Sequence, residues 1–310
     1  SKFMNKLKKV GLTALATTLV TSAAYAGEMS VSGSATLSYT GRDSNSDVNP
    51  WSMGDSVNFT GSGDLDNGMD VTVKYELDGG NYDDYSLTLG MGDMGSLTFS
   101  GASVNAGGVD KVKDIVPKAY TPVYELTDAT DNGLATTSGR STTGMWGYTY
   151  NQGGLMLSAG YNPKPAAAAK AESSFGISYD GLMDGLTVVA GRFDDGDVAE
   201  NDTYGIKYVM GSVTAAYQMT KVEYDATATA DQDATHMGIS LAVNENLTVS
   251  AGRMETEIDG TVEDEINTGI QASYTMGSIS LAGGFNEQES GGGTAANDVE
   301  AALFNIAFAF

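Results

Sequence analysis

From Met29 almost to its last residue the chain alternates side chains at a period of two, and no other feature limits its fold so tightly. In residues 29–40, Met29, Val31, Gly33, Ala35, Leu37 and Tyr39 share one face, while Ser30, Ser32, Ser34, Thr36, Ser38 and Thr40 share the other. Helical spacing would mix the two sets; a strand keeps them apart at every position. The polar set consists of short hydroxyls rather than Lys and Glu, which suits a wet interior better than an open surface.

An internal repeat extends the argument. Segments 145–161, 174–193, 203–219, 236–254 and 268–285 align so that Tyr148, Ile177, Ile206, Ile239 and Ile270 fall 29, 29, 33 and 31 positions apart. Each unit is a strand, a tight turn and a returning strand. A solenoid or propeller can share such a period, but a solenoid reuses one short turn pattern. Here tight turns alternate with longer polar loops, as in an up-and-down barrel with two unlike ends. The template predicts strands at 28–40, 51–63, 69–78, 84–90, 95–101, 143–151, 154–162 and 172–180. It continues with 185–193, 202–210, 211–219, 234–243, 246–256, 265–276, 277–286 and 298–310. The expected fold is therefore all-β, a 16-stranded antiparallel transmembrane barrel with both termini at one rim. The tight turns fall at one end, and the longer, acidic connections all fall at the other, extracellular end. One connection breaks the pattern: residues 102–142, after the fifth strand, carry no clean alternation, and an irregular stretch of that length inside a compact domain is usually functional.

The first 26 residues read as a secretion signal, leaving 27–310 as a single barrel domain. Lys6, Lys8 and Lys9 precede a short apolar stretch (residues 10–20) and the small-x-small step Ala24-Tyr25-Ala26. The chain has 16 basic and 40 acidic residues, and with four of the bases before Gly27 the remainder carries 12 against 40, a balance of −28. That charge argues against nucleic acid as a partner. No cysteine is present, so an exported chain of this kind must draw its stability from elsewhere, such as a long closed sheet. No apolar run after residue 26 approaches the 18 residues of a spanning helix, so a membrane role must come from strands.

Enzyme chemistry finds little support. His236 is the only histidine, there is no cysteine, and no Gly-x-Ser-x-Gly elbow occurs. No required cofactor is implied. Structural calcium in acidic loops stays open at Asp43/Asn45/Asp47, Asp194/Asp195/Asp197 and Glu255/Glu257/Asp259, although Val48 and Gly54 break the EF-hand pattern of the first. Arg192 and Arg253 share the parity of the apolar face. Either a bulge at Gly191 and Gly252 turns them inward, or they sit at the rim or a subunit interface.

The C-terminus carries the most specific short signal, with Phe304, Ile306, Phe308 and Phe310 alternating to the last residue. This resembles the assembly signal of Gram-negative outer-membrane proteins, read by the barrel-assembly machinery. Sixteen strands, a long third loop and an acidic composition resemble the general-diffusion porins, and the Ala/Gly-rich, Ser/Thr-lined style those of α-proteobacteria. The resemblance implies a homotrimer in the outer membrane, in contact with lipid and lipopolysaccharide, passing small hydrophilic solutes. It also implies a third loop that folds inward, its acids facing basic wall residues. Carried over by position, these are Asp110, Asp114, Glu125, Asp128 and Asp131 on the loop and Arg42 and Lys74 on the wall. The Pro-Glu-Phe-Gly-Gly loop motif of enterobacterial relatives is absent, and the first five strands supply few bases. Weak cation selectivity is expected from acidic loops such as Asp231, Asp233, Glu263, Asp264 and Glu265. A substrate-specific channel, an adhesin barrel and a secreted calcium-binding β-protein are the alternatives.

Overall fold

The computed structural model describes residues 27–43, 49–102, 104–124, 143–164, 169–196, 198–225 and 229–310. The secretion-signal reading of residues 1–26 lies outside them. The described residues form sixteen strands. The first eight are β1 (Met29–Arg42), β2 (Trp51–Asp64), β3 (Asp70–Asp78), β4 (Asn81–Gly90), β5 (Ser96–Ala102), β6 (Met145–Gln152), β7 (Leu155–Asn162) and β8 (Glu172–Tyr179). The rest are β9 (Leu186–Asp194), β10 (Ala199–Met210), β11 (Val213–Tyr224), β12 (Gln232–Ala242), β13 (Leu247–Ile258), β14 (Glu265–Met276), β15 (Ile279–Glu289) and β16 (Val299–Ala309). No described helix is long and apolar enough to cross a membrane.

Each strand pairs antiparallel with its sequence neighbours, and β16 returns to β1, closing the barrel. The last residue takes part in the seam: the Phe310 carbonyl accepts from Gly33 N at 2.7 Å and the Phe310 amide donates to Gly33 O at 2.9 Å. Alternation explains why closure works. Each strand shows one face to lipid and one to the interior, and closure leaves no edge with unpaired backbone groups. The five aligned repeat residues, Tyr148, Ile177, Ile206, Ile239 and Ile270, are all outward and exposed. Aromatic rings flank this band on both sides. Tyr39 meets Trp51 edge-on at 5.1 Å toward the loop end, and Tyr150, Tyr179, Tyr208 and Tyr274 lie near the turn end.

The two ends differ as expected, with one exception. At the turn end, Gly153 and Gly154 take φ of 57° and 81°, the double left-handed conformation that two-residue hairpins need. At the other end, where long connections are expected throughout, β3 and β4 are joined by Gly79 and Gly80 alone, with φ of 55° and 82°. Asn81, Tyr82 and Asp83, expected in the connection, belong to β4, and the register shifts beside Tyr75 and Tyr85.

Candidate functional site

The long connection after β5 turns into the barrel. Its described part, residues 104–124, runs along the inner wall from β6 to β15 and is tied down by side chains that reach it from the strands. Ser158 on β7 accepts from Gly108 N at 2.8 Å. Gln218 on β11 works in both directions: its oxygen accepts from Ile115 N at 3.1 Å, and its amide donates to Val112 O at 3.0 Å. Ser250 on β13 accepts from Ala119 N at 2.8 Å. Gln271 on β14 accepts from Tyr120 N and Thr121 N at 3.1 and 3.2 Å and returns a bond to Thr121 O at 2.6 Å. Asn286 on β15 donates to Val123 O. A chain segment with no ladder of its own would otherwise leave these groups unpaired in the interior.

Apolar contacts fill the space between the hooks. Val109 and Val112 pack on Val189 and Phe193 of β9, with Ile115 and Met156 at the margin. Val123 packs on Ala234 and Met254, with Tyr124 beside them. His236 lies beneath this second cluster, its ring edge-on to Tyr124 at 5.8 Å, and is 3% exposed. It faces inward as its parity implies, but as part of the packing under the loop.

Across the lumen the wall stays open. Asn58, Lys74, Glu76, Asp84, Ser86, Thr88 and Thr98 of β2–β5 line a cavity, hereafter the passage, whose other side is Val104, Asn105, Ala106 and Lys111 of the loop. Glu76 is held by Ser56 and by Asn58, whose amide lies 3.4 Å away. Among the described residues no ion pair involves Lys74, Glu76, Asp84 or Lys111. The passage is thus lined by separate charges of both signs.

The sequence-derived residues fall as follows. Lys74 lies in the passage, and Arg42 is at the loop end of β1 on the interior parity, opposite Ala301. Asp110 and Asp114 are on the loop, but each closes on a lysine of the same segment, Lys113 at 3.0 Å and Lys118 at 2.5 Å. Glu125, Asp128 and Asp131 lie outside the described residues. Glu76 and Asp84 were not picked out from sequence; their parity on β3 and β4 was the available signal. Glu265, expected among the acids of the mouth, is buried at the head of β14, accepting from Asn267 and from Gly292 N.

Arg192 and Arg253 lie on the outward parity in the loop-side halves of β9 and β13, and the register runs without a shift through Gly191 and Gly252. Arg192 pairs with Glu200 and, at 3.2 Å, with Asp202; Arg253 pairs with Glu255 at 2.7 Å. Among the described residues no cluster of three or more His, Asp or Glu side chains could hold a metal ion. Of the candidate calcium ligands, Asn45, Asp47 and Asp197 lie outside the described residues. Asp194 and Asp195 shape their own turn, accepting from Gly196 N at 2.6 Å and from Val198 N and Ala199 N at 2.6 and 3.0 Å.

A family model described as Gram-negative porin matches residues 11–310. No curated protein matches the sequence. A solved porin refined at 1.8 Å superposes with a TM-score of 0.70 over 91% of this chain and 100% of its own, at 19% identity. The trimer form of OmpT from Vibrio cholerae gives 0.71 over 92% and 100%, at 13% identity. An anion-selective porin from Comamonas acidovorans gives 0.66 over 91% and 99%, at 14% identity. At such identities the likeness is one of fold.

Proposed function

The chain belongs to the Gram-negative porin family, an outer-membrane β-barrel channel, and from that premise we propose that it passes small hydrophilic solutes and ions by passive diffusion with a weak preference for cations. The observation that carries this reading is the asymmetric interior. A sixteen-strand barrel is too wide for side chains to fill, and the loop lies against one side of the wall, leaving polar and charged side chains on the other.

The fold does not set the sign of selectivity, since a solved protein described as anion-selective shares it. The charges set it. In the passage Lys74 and Lys111 offset Glu76 and Asp84, so the balance there is close to neutral. Loop 102–142, with Asp110, Asp114, Glu125, Asp128 and Asp131, and wall residues Arg42 and Lys74 shape the local field. The chain as a whole is at −24, and a negative mouth raises the local cation concentration. Reversal potentials across planar bilayers in a KCl gradient test this. Cation preference that weakens as salt rises is expected; anion preference in the wild type overturns it. Liposome swelling with sugars of increasing size tests general diffusion: a graded fall with size supports it, and uptake of one sugar alone favours a specific channel instead.

Assembly belongs to the same reading. A homotrimer is supported by the fold shared with the trimer form of OmpT. Contact with lipopolysaccharide is consistent with the outward charges at the loop-side rim, and calcium bridging there would need no dedicated cage. Phe310 is the residue the barrel-assembly machinery would read, and its backbone pairs with Gly33 in the β1–β16 seam.

A further inference from the structure

We propose that the aperture is set by the wall under the loop: a row of interior glycines, one per hairpin of the sequence repeat, fixes how deep the loop lies and hence which solutes pass. This rests on the reading of the barrel as a diffusion channel narrowed by that loop. Each aligned outward residue of the repeat is preceded by a glycine: Gly147, Gly176, Gly205, Gly238 and Gly269. Interior parity turns all five toward the lumen. A neighbouring strand adds Gly252, which pairs directly with both Gly238 and Gly269.

None of the six has a positive φ, so the backbone conformation does not demand glycine. Glycine inside a strand weakens it and often marks a close approach of another backbone. Space is the remaining reason, and the loop occupies it. A Cβ on Gly147 would stand 2.1 Å from Ala106 O, and one on Gly176 would stand 2.6 Å from Gly108 O. On Gly205 it would meet Ile115 Cδ1 at 2.6 Å, and on Gly238 Val116 Cγ1 at 2.6 Å. On Gly252 it would meet Val123 Cγ1 at 3.0 Å; on Gly269 it would first meet the Asn286 amide, at 2.1 Å, which itself ties down Val123, and then Val123 Cγ1 at 3.1 Å. The row follows the loop from its first described turn to its last. Adding a side chain along it crowds the loop from the wall side, through loop backbone at Gly147 and Gly176 and through loop side chains at Gly205 and Gly238, and lifts the loop toward the lumen. The repeat period is accordingly a record of the loop's path as well as of hairpin length.

The contact at Gly238 is with a side chain, which permits a size exchange. Gly238→Ala should lower single-channel conductance and exclude larger sugars in liposome swelling while the smallest solute still enters. Val116→Ala in the same chain removes the nearest clashing atom, leaving Pro117 O at 3.2 Å, and should restore most of both. Gly205→Ala with Ile115→Ala repeats the exchange on another strand. Gly61→Ala, with ordinary φ and nothing within 4 Å of its added Cβ, should behave as wild type. Heat-dependent mobility in electrophoresis reports that each barrel has folded. Should Gly238→Ala not assemble, Gly252→Ala, with the milder 3.0 Å contact, carries the same expectation. A folded Gly238→Ala, Gly205→Ala or Gly252→Ala variant with wild-type conductance and sugar cut-off overturns the proposal, and so does a loss that the paired Val or Ile truncation does not restore. Failure of the wild type to pass graded sugars would sink the diffusion reading instead, before any variant is compared.

Discussion

The interior of this barrel is two surfaces. On β1–β5 it is a water-facing wall of Ser, Thr and Asn with separate charges, while on β6–β15 much of it is a protein interface covered by the loop. The second surface carries Val189, Phe193 and Met254 at positions that alternation alone would make polar, and glycine where the loop comes closest. Inside and outside are therefore poor guides to polarity in a wide barrel. What decides the residue is whether water or chain lies opposite it.

The sharpest way to break this contrast is chemical. Single cysteines at Ser32, Ser34, Thr36 and Ser38 on β1 should react with small hydrophilic thiol reagents in intact membranes. The outward neighbours Val31, Ala35 and Leu37 should not. Neither should a cysteine at Thr203, which has the same inward parity but is fully buried against Thr220 and Gln218. Equal labelling at Thr203 and Thr36 would mean that the loop does not cover that half of the wall.

Packing separates the halves next. Phe193 is 1% exposed within the cluster it forms with Val109, Val112 and Val189. Phe193→Ala should lower the free energy of unfolding, followed by urea titration in detergent, by about 3–5 kcal/mol, the cost of emptying a packed aromatic site. Phe59→Ala, on the outward face of β2, should cost much less because lipid or detergent fills the space. Similar losses would remove the argument that the loop half has a core.

The hooks should matter less. Gln218→Leu leaves the Ile115 N–H and the Val112 carbonyl without their partner, a loss of about 1–3 kcal/mol for buried groups. Open-channel current should become noisier. Asn58→Leu on the bare wall should leave the noise unchanged, because water replaces its amide.

The strands were legible because alternation is a local signal: all sixteen were found, but their loop-side ends were less clear, since β11 runs on to Tyr224 past the expected 219 and the Gly79–Gly80 turn was hidden by the polar Asn81-Tyr82-Asp83, which resembles a loop. The loop's path was not legible. Its ties join residues such as Ile115 to Gln218 and Val123 to Asn286, across more than a hundred positions, and nothing periodic in 104–124 announces them. One trace was present. The glycine before each of Tyr148, Ile177, Ile206, Ile239 and Ile270 stood beside the residues used to align the repeat, and at the first four the loop is the nearest neighbour that a side chain would meet. Of the candidate residues, Arg42 and Lys74 were read by parity, and Lys74 lines the passage while Arg42 stands at the loop end of β1; Asp110 and Asp114 were read by position and lie on the loop. Glu76 and Asp84 have an interior parity too, but in a chain with 40 acidic residues nothing local marks out two of them.

Selectivity gives the smallest expected effect and the finest test of the two surfaces. Glu76→Gln with Asp84→Asn removes two carboxylates from a strand wall, and Asp110→Asn with Asp114→Asn removes two from the loop, so the net charge changes equally. Screening reaches about 10 Å at 0.1 M salt and about 3 Å at 1 M, so both reversal-potential shifts should be modest and should shrink at high salt. They should differ in their company. The wall carboxylates are held on strands, and their loss leaves the loop where it lies. Asp110 and Asp114 each engage a lysine of their own segment, and neutralising them frees Lys113 and Lys118 as well as changing the field. The loop variant should therefore shift selectivity and also alter conductance and noise, while the wall variant should shift selectivity alone. A loop variant indistinguishable from wild type would remove Asp110 and Asp114 from the constriction. A wall variant with altered noise would mean that the two surfaces are mechanically one.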